Sequence, residues 1–133
     1  MLSQEEREYL TAERRLARIA TVAPDGQPDV TPVGFEFDGE SFYVGGLDVS
    51  RTRKYRNVRA GNTKVALVID DMASVSPWRP RGIRVYGTAE IVAREGYAGG
   101  GSYLKITPTV TWSWGMEGAP NRPGAQKKTV HAG

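Results

Sequence analysis

Two Asp-Gly turns constrain the fold of this chain more than any other feature, because they join three short strand-like runs into one antiparallel meander. The runs are 19–23, 30–38 and 42–44. In the second run, Val33, Phe35 and Phe37 alternate with small or polar residues, as in a strand with one buried face. Asp25-Gly26 and Asp38-Gly39 separate the runs, and this dipeptide is typical of tight hairpin turns.

Three further strands are predicted along the rest of the chain. Residues 65–69 form a continuous apolar run, which indicates a strand buried on both faces. Residues 83–92 alternate apolar with polar side chains, and a last strand covers 103–114. We interpret 70–80 as a loop and the glycine-rich stretch 98–102 as a flexible linker. Six strands without a β-α-β rhythm predict a mainly β fold, a small antiparallel barrel.

Two helices are predicted beside the strands. Ser3 and Glu6 have the spacing of a capping box, and the segment that follows carries its acids early and its arginines late. This helix is expected to run to about Arg15. A second helix over about 51–60 ends at Gly61-Asn62, a common signal for a helix C-terminus.

Composition limits the chemistry that this chain can perform. The 133 residues carry a formal charge of +3 and contain no cysteine, which excludes disulfides and thiolate sites and fits a reducing cytoplasm. No apolar run is long enough for a membrane span, so a cytoplasmic protein without membrane contact is expected. The single histidine, His131, is interpreted as a bystander, and no metal site is predicted. Hard chemistry would therefore come from a bound cofactor.

The chain is divided into one domain and a tail. Prolines, glycines and lysines dominate from residue 118, a composition typical of an extended segment without a core of its own. We assign the folded domain to 1–117 and the tail to 118–133. Lys127 and Lys128 in the tail are interpreted as solvated.

The second predicted helix carries the strongest functional signal. It begins within Ser50-Arg51-Thr52-Arg53-Lys54, where hydroxyls and basic side chains precede any acid. Unpaired N–H groups at a helix start, together with these side chains, favour an anion such as phosphate. A solvated basic helix capped by Ser50 explains the same pattern equally well. Five basic residues within 51–59 also raise nucleic acid as a ligand, but no aromatic residues are interleaved for base stacking.

Five segments of the sequence occur in an order that points to a family. They are 18–28, Thr31-Pro32-Val33-Gly34-Phe35, 51–57, 82–90 and Trp112-Ser113-Trp114-Gly115. In this order they resemble the flavin and deazaflavin oxidoreductases of the pyridoxamine 5′-phosphate oxidase-like split-barrel superfamily. The resemblance covers about residues 5–117 and is closest to the branch that binds coenzyme F420.

The resemblance implies both a fold and an activity. The expected fold is a homodimer of six-stranded split barrels of the FMN-binding type, with cofactor sites at the subunit interface. The expected activity is an F420-dependent reductase, which transfers a hydride from reduced deazaflavin to an electron-poor C=C or C=N bond of a small organic substrate. Two alternatives stay open: an FMN-dependent oxidoreductase on the same scaffold, and a non-catalytic protein that binds F420 or haem.

The resemblance also implies which residues bind the cofactor. Lys54 and Asn57 match positions that hold its phosphate and side chain. The strand whose backbone faces the ring system is matched by Thr31, Pro32 and Val33, and the residues that flank Lys54 are Ser50, Arg51, Thr52 and Arg53. A loop that reaches the cofactor is matched by Trp78 and Arg79, and a late strand position near the cofactor is matched by Trp114. No catalytic side chain is assigned, because Tyr55, Tyr86 and water are equal candidates for a proton donor.

Several of these residues have structural interpretations as well. Trp78 between two prolines fits a plug for the end of the barrel as well as a lid over the ring. Trp112 and Trp114 share one strand face, and at least one is expected to pack in the core or the dimer. Asp70 and Asp71 are neighbours in sequence and should point to opposite sides of the sheet, so we predict no shared carboxylate site.

Overall fold

The structure, a computed structural model, describes residues 2–46 and 48–116 and the backbone of 127–130. These residues form two α-helices and eight β-strands, and a short 3₁₀ helix, Val49–Arg51, precedes the second helix. The helices are α1 (Gln4–Thr11) and α2 (Arg53–Arg59). The strands are β1 (Ala17–Val22), β2 (Pro28–Val33), β3 (Glu36–Phe37), β4 (Phe42–Val44), β5 (Lys64–Ser74), β6 (Arg79–Gly96), β7 (Gly99–Trp114) and β8 (Lys127–Val130).

All strand pairs are antiparallel, and the sheet follows the order β2-β1-β5-β6-β7-β4-β3 with β8 on β7. One hydrophobic cluster contains Val33 from β2 and Phe42 from β4, which lie near opposite ends of this path. The sheet must therefore curl around a shared core, as in a split barrel. The predicted class, a mainly β antiparallel barrel, is confirmed.

The structure has eight strands where the sequence predicted six. The run 30–38 is divided, because the chain leaves β2 at Gly34 and pairs again only from Glu36. β8 adds a strand inside the segment 118–133, where the sequence predicted an extended tail. The boundary between domain and tail stays a prediction, and His131 lies outside the described residues.

Two segments predicted as irregular belong to long strands. β5 continues through the predicted loop 70–80 as far as Ser74, and β6 begins at Arg79, so only a four-residue turn separates them. The predicted linker 98–102 lies mostly in β7, where Gly100 pairs with Glu95 of β6. Glycine and charged residues have weak strand propensity, but the partner strand supplies the hydrogen bonds that decide the conformation here.

The first helix is capped as predicted and is shorter than predicted. Ser3 Oγ accepts a hydrogen bond from the Glu6 N–H at 3.1 Å, and Glu6 Oε1 accepts one from the Ser3 N–H at 2.8 Å. The helix ends at Thr11 rather than near Arg15, whose guanidinium donates back to the carbonyl of Tyr9. Neither helix of the described parts of the chain is long and apolar enough to cross a lipid bilayer.

Asp71 of β5 connects α1 to the sheet. Its carboxylate accepts two hydrogen bonds from Arg81 of β6, at 2.7 and 3.0 Å, and one from Arg15 at 3.3 Å. The hydroxyl of Tyr9 donates a further bond at 3.0 Å. Both guanidinium groups lie over the Tyr9 ring, 4.0 and 5.3 Å from its centroid. The pKa of Asp71 is held below its usual range, mainly by the hydrogen bonds from Arg81. The pKa of Tyr9 is raised, mainly by burial and also by its hydrogen bond to Asp71.

Candidate functional site

The inward side of α2 brings two of the predicted site residues against the sheet. Lys54, Asn57 and Val58 are the buried residues of α2, and their spacing puts them on one helix face. Asn57 Nδ2 donates to Thr21 Oγ1 of β1 at 3.0 Å, and both side chains are buried. Thr21 is paired with Asp29 of β2. The structure therefore places Lys54 and Asn57 beside the β1–β2 hairpin.

Lys54 is an almost buried cation. Its exposed fraction is 9 %, and no ion pair joins it to a carboxylate of the described residues. Burial lowers the pKa of Lys54, and the charge of Asp29 partly opposes this shift. A lysine side chain that is mostly withdrawn from water and has no ion-pair partner is unfavourable. An anionic ligand group at this place would supply the missing partner.

The predicted residues of β2 lie on an open edge of the sheet. Among the described strands β2 pairs with β1 alone, so one side of its backbone has no strand partner. Thr31 is half-buried and Val33 is buried, on the same face of the strand as Asp29. Pro32 is exposed on the opposite face, and its missing N–H suits an edge strand. This edge could hold the flat part of a ligand whose anionic part meets Lys54.

The residues that precede Lys54 are arranged differently from the prediction. Ser50 does not cap α2, because the chain first forms the short 3₁₀ helix and becomes extended at Thr52. Thr52 is the N-cap, and its hydroxyl accepts a hydrogen bond from the Tyr55 N–H at 3.4 Å. The side chains of Arg51 and Arg53 are exposed, as is Ser50. These three exposed side chains are therefore not part of the buried contact that Lys54 makes.

Trp78 and Arg79 lie far from Lys54 within one chain. Ala66 of β5 pairs with β1, the strand on which α2 rests, and Ser74 lies eight residues further along β5. This length of strand corresponds to about 26 Å, and the turn that carries Trp78 lies beyond it. Trp78 is 63 % exposed. One chain alone therefore does not bring this loop to the Lys54 site.

The two tryptophans of β7 lie on the outer face of the sheet, which is the face opposite the one that carries core residues such as Ile83 and Val85. Trp114 is buried opposite Gly82 of β6, where a Cβ atom would stand 2.7 Å from the Trp114 ring. Trp112 is half-buried, with the Arg84 guanidinium 4.1 Å from its ring centroid and the Tyr86 ring at 4.8 Å. Trp114, like Trp78, is thus not next to Lys54 in the single chain.

An apolar row crosses this outer face. The strand registers connect residues of β2, β1, β5, β6 and β7 in one line: Val30, Ala20, Ala66, Tyr86 and Val110. Val30 is 68 % exposed and Tyr86 is 47 % exposed. The other three residues are half-buried. A row of partly exposed apolar side chains on a sheet face is typical of an interaction surface.

A cleft of about 470 Å³ opens where β2 ends, and the sequence contained no signal for it. It lies between the end of α1 and the connection from β2 to β3, so its walls come from segments distant in sequence. Tyr97 forms part of the wall, and its hydroxyl donates to the Gly34 carbonyl and accepts from the Gly45 N–H, both at 2.7 Å. These bonds fix the backbone at the end of β2.

Comparison with known proteins gives consistent matches. The family described as pyridoxamine 5′-phosphate oxidase matches residues 2–120. The 5a,11a-dehydrotetracycline/5a,11a-dehydrooxytetracycline reductase of Streptomyces rimosus is 36 % identical over 122 residues, which cover 87 % of this chain and 84 % of that protein.

Solved structures share the fold. An F420 reductase superposes with a TM-score of 0.62 at 23 % identity, covering 84 % of this chain and 98 % of that chain. A heme binding protein from Mycobacterium smegmatis superposes with a TM-score of 0.69 at 16 % identity, covering 95 % of this chain and 57 % of that chain. At these identities the two likenesses bear on the fold alone.

Proposed function

The chain belongs to the pyridoxamine 5′-phosphate oxidase family, and on that basis we propose that it is an F420-dependent reductase. The proposed reaction is hydride transfer from the reduced deazaflavin to an electron-poor C=C or C=N bond of a small organic substrate. The reductase of S. rimosus supports this assignment, and the F420 reductase supports the fold on which the assignment rests.

The burial of Lys54 without an ion-pair partner among the described residues is the single observation on which the cofactor assignment rests. Lys54 is 9 % exposed and has no ion-pair partner among the described residues, and the charge of Asp29 only partly offsets the effect of burial. A phosphate is the anion that fits best, because it accepts several charge-assisted hydrogen bonds. Asn57, held by Thr21, keeps this face of α2 in place.

The remaining contacts follow the open edge of β2 and the exposed side of α2. The backbone edge of Thr31, Pro32 and Val33 would face the ring system of the cofactor, and exposed Arg51 and Arg53 would attract its acidic tail. When bound, the reduced deazaflavin supplies the hydride. The residues of the chain bind and orient the two reactants, which is the usual contribution of a protein to cofactor chemistry.

A conjugated carbonyl compound is the substrate class that we propose. The S. rimosus relative is named for the reduction of dehydrotetracyclines, which are fused-ring compounds. Fused-ring enones are therefore the first compounds to test, followed by imines.

FMN is the second candidate cofactor. The family is named for pyridoxamine 5′-phosphate oxidase, and a phosphate of FMN would meet Lys54 equally well. FMN lacks the glutamate tail of F420, so it makes less use of the exposed arginines around residues 51–59.

Side-by-side titrations of the purified protein with F420, FMN and haem test the assignment. We expect saturable binding of F420, weaker binding of FMN, and oxidation of reduced F420 when a fused-ring enone is added. Flavin colour after purification together with FMN binding alone would contradict the F420 assignment. Saturable F420 binding without turnover of any enone or imine would instead identify a carrier protein.

We further propose that two copies associate through the apolar row on the outer face of the sheet. The exposed row is long enough to form the centre of an interface, because it crosses five strands. Trp78 and Arg79 lie too far from Lys54 in their own chain, and a second copy offers a way to bring this loop to a cofactor.

Tyr86→Lys is expected to produce a monomer, because it places a charge in the middle of this row. Light scattering after size-exclusion chromatography measures the mass, and an F420 titration measures the accompanying loss of affinity. Glu40→Lys, an exposed change in the β3–β4 turn, is the control and should leave both unchanged. A dimeric Tyr86→Lys protein would show that the subunits meet elsewhere.

A further inference from the structure

We propose that the cleft at the end of β2 is the substrate pocket, and that it binds a flat, largely apolar molecule with one anionic or enolised oxygen. This inference rests on the proposed function, because it takes the ring system of the cofactor to lie along β2. It adds the place and the chemical class of the substrate.

The position of the cleft follows from the chain path along β2. Asp29, whose charge acts on Lys54, lies five residues before Gly34, the first cleft residue after the strand. Five extended residues span about 17 Å, which suits a cofactor with its phosphate at one end and its ring at the other. A substrate in the cleft would therefore adjoin the ring end rather than the phosphate end.

The cleft is lined by both polar and apolar side chains, and part of its apolar side is rigid. Phe35 and Phe37 line it, and both rings pack on Phe42 of the core, with centroid distances of 5.9 and 4.7 Å. Leu16 also lines the cleft and is 53 % exposed, so its side chain contributes little to the core. A volume of about 470 Å³ lies within the range of small-molecule sites.

The charges that line the cleft leave one cation unengaged. The charged lining residues are Glu13, Arg14, Arg15 and Glu36. Ion pairs within the chain engage Glu13, Arg15 and Glu36. Arg14 has no such partner among the described residues. A guanidinium group near the aromatic side of the cleft selects a molecule that combines a flat apolar surface with an anionic oxygen.

Two dyes of matched shape test the pocket on the cofactor-free protein. Anilinonaphthalene sulfonate is anionic, and N-phenylnaphthylamine has the same ring system without the sulfonate. Their fluorescence titrations are compared for the wild type, Arg14→Gln and Leu16→Ala. Lys64→Gln, which removes an exposed cation far from the cleft, is the control, and melting temperatures confirm that each variant is folded.

Arg14→Gln is expected to weaken binding of the sulfonate dye about fivefold and to leave the neutral dye unchanged. Leu16→Ala should weaken both dyes about fivefold, because both lose the same apolar contact. Lys64→Gln should change neither. Equal effects of Arg14→Gln on the two dyes, or no effect on either, would overturn the proposal.

Two further measurements separate this proposal from the proposed cofactor site. If Lys54→Met weakens binding of the sulfonate dye more than Arg14→Gln does, the dye occupies the proposed cofactor site at Lys54, and the proposed pocket is refuted. A reducible fused-ring enone is expected to displace the dye from the cleft. Turnover of the enone without displacement of the dye would refute the proposed pocket and leave the reductase assignment intact. Failure to bind F420, together with the expected response of both dyes, would refute the cofactor assignment alone.

Discussion

Replacing Lys54 by methionine is expected to weaken F420 binding about 10- to 100-fold and to raise the stability of the cofactor-free protein. The two effects have one cause. Lys54 is 9 % exposed and unpaired within the described residues, so its charge opposes folding and favours an anionic ligand. Methionine keeps the apolar contacts of the lysine stem. Titration gives the affinity, and urea unfolding gives the stability.

Lys64→Met is the matched control, because Lys64 is exposed at the start of β5. It should change neither affinity nor stability beyond the scatter of surface substitutions. Loss of affinity in Lys54→Met together with a marked loss of stability would mean that Lys54 has a structural role that the described contacts do not contain. Unchanged affinity would remove Lys54 from the cofactor site.

The pH dependence of F420 affinity provides a second signature of Lys54. Burial holds the pKa of Lys54 below its ordinary value of 10.5 in the folded protein. At pH values below this lowered pKa, the charge of Lys54 destabilises the folded state. The destabilisation disappears as the pH rises towards the pKa that Lys54 has in the unfolded chain. F420 affinity should fall as pH rises through the lowered pKa, and Lys54→Met should not show this fall. A wild type with constant affinity up to pH 10.5 would contradict the assignment.

Replacing Asp71 by alanine is expected to lower the free energy of unfolding by about 3 kcal/mol. The change leaves two guanidinium groups and the Tyr9 hydroxyl without their shared acceptor. The Arg15 side chain is only 9 % exposed, so water replaces the lost partner poorly. The Asp71 side chain is itself 31 % exposed, which keeps the expected loss at the lower end for a buried ion pair. Urea unfolding measures the difference.

Asp70→Ala is the control for this prediction. Asp70 is 50 % exposed and pairs with Arg18 alone, at 3.6 Å, on the other face of β5. We expect a loss of less than about 1 kcal/mol. The two aspartates lie on opposite faces of β5, as the sequence predicted. Equal losses for the two variants would contradict the role given to Asp71.

Acid should weaken the Asp71 contribution in a defined direction. Because the folded-state pKa of Asp71 is lowered, mainly by Arg81, its contribution is complete above the unfolded pKa of about 3.9. The contribution is lost as pH falls from there through the lower folded pKa. In Asp71→Ala the free energy of unfolding should therefore change less with pH in this range than in the wild type.

Local chemistry allowed part of the fold to be predicted from the sequence. The capping box at Ser3 and Glu6 and the strand 42–44 after Asp38-Gly39 are present as predicted, because caps and tight turns depend on neighbouring residues. The lengths of β5, β6 and β7 were missed because their glycine-rich and charged parts have weak strand propensity. These parts are extended because they pair within the β5–β6 and β6–β7 hairpins, where Ser74 pairs with Arg79 and Gly96 with Gly99.

Burial was predicted less well than secondary structure. The run 65–69 was expected to be buried on both faces, but Ala66 and Val68 are only half-buried. They lie on the outer face, where the part of the chain that the structure describes provides no covering layer. A continuous apolar run does not by itself say whether a second face is covered by the same chain or by another one.

The sequence by itself determined the β-rich composition of the fold, its turns and caps, the family, and the basic segment that contains Lys54. The tertiary structure alone decided that the Lys54 side chain is mostly buried while Arg51 and Arg53 are exposed, that Trp78 is distant from Lys54, and that a cleft follows β2. The physical reason is range. Turn and cap energies come from residues a few positions apart, whereas desolvation of a charge and the shape of a cavity depend on segments that meet only after folding.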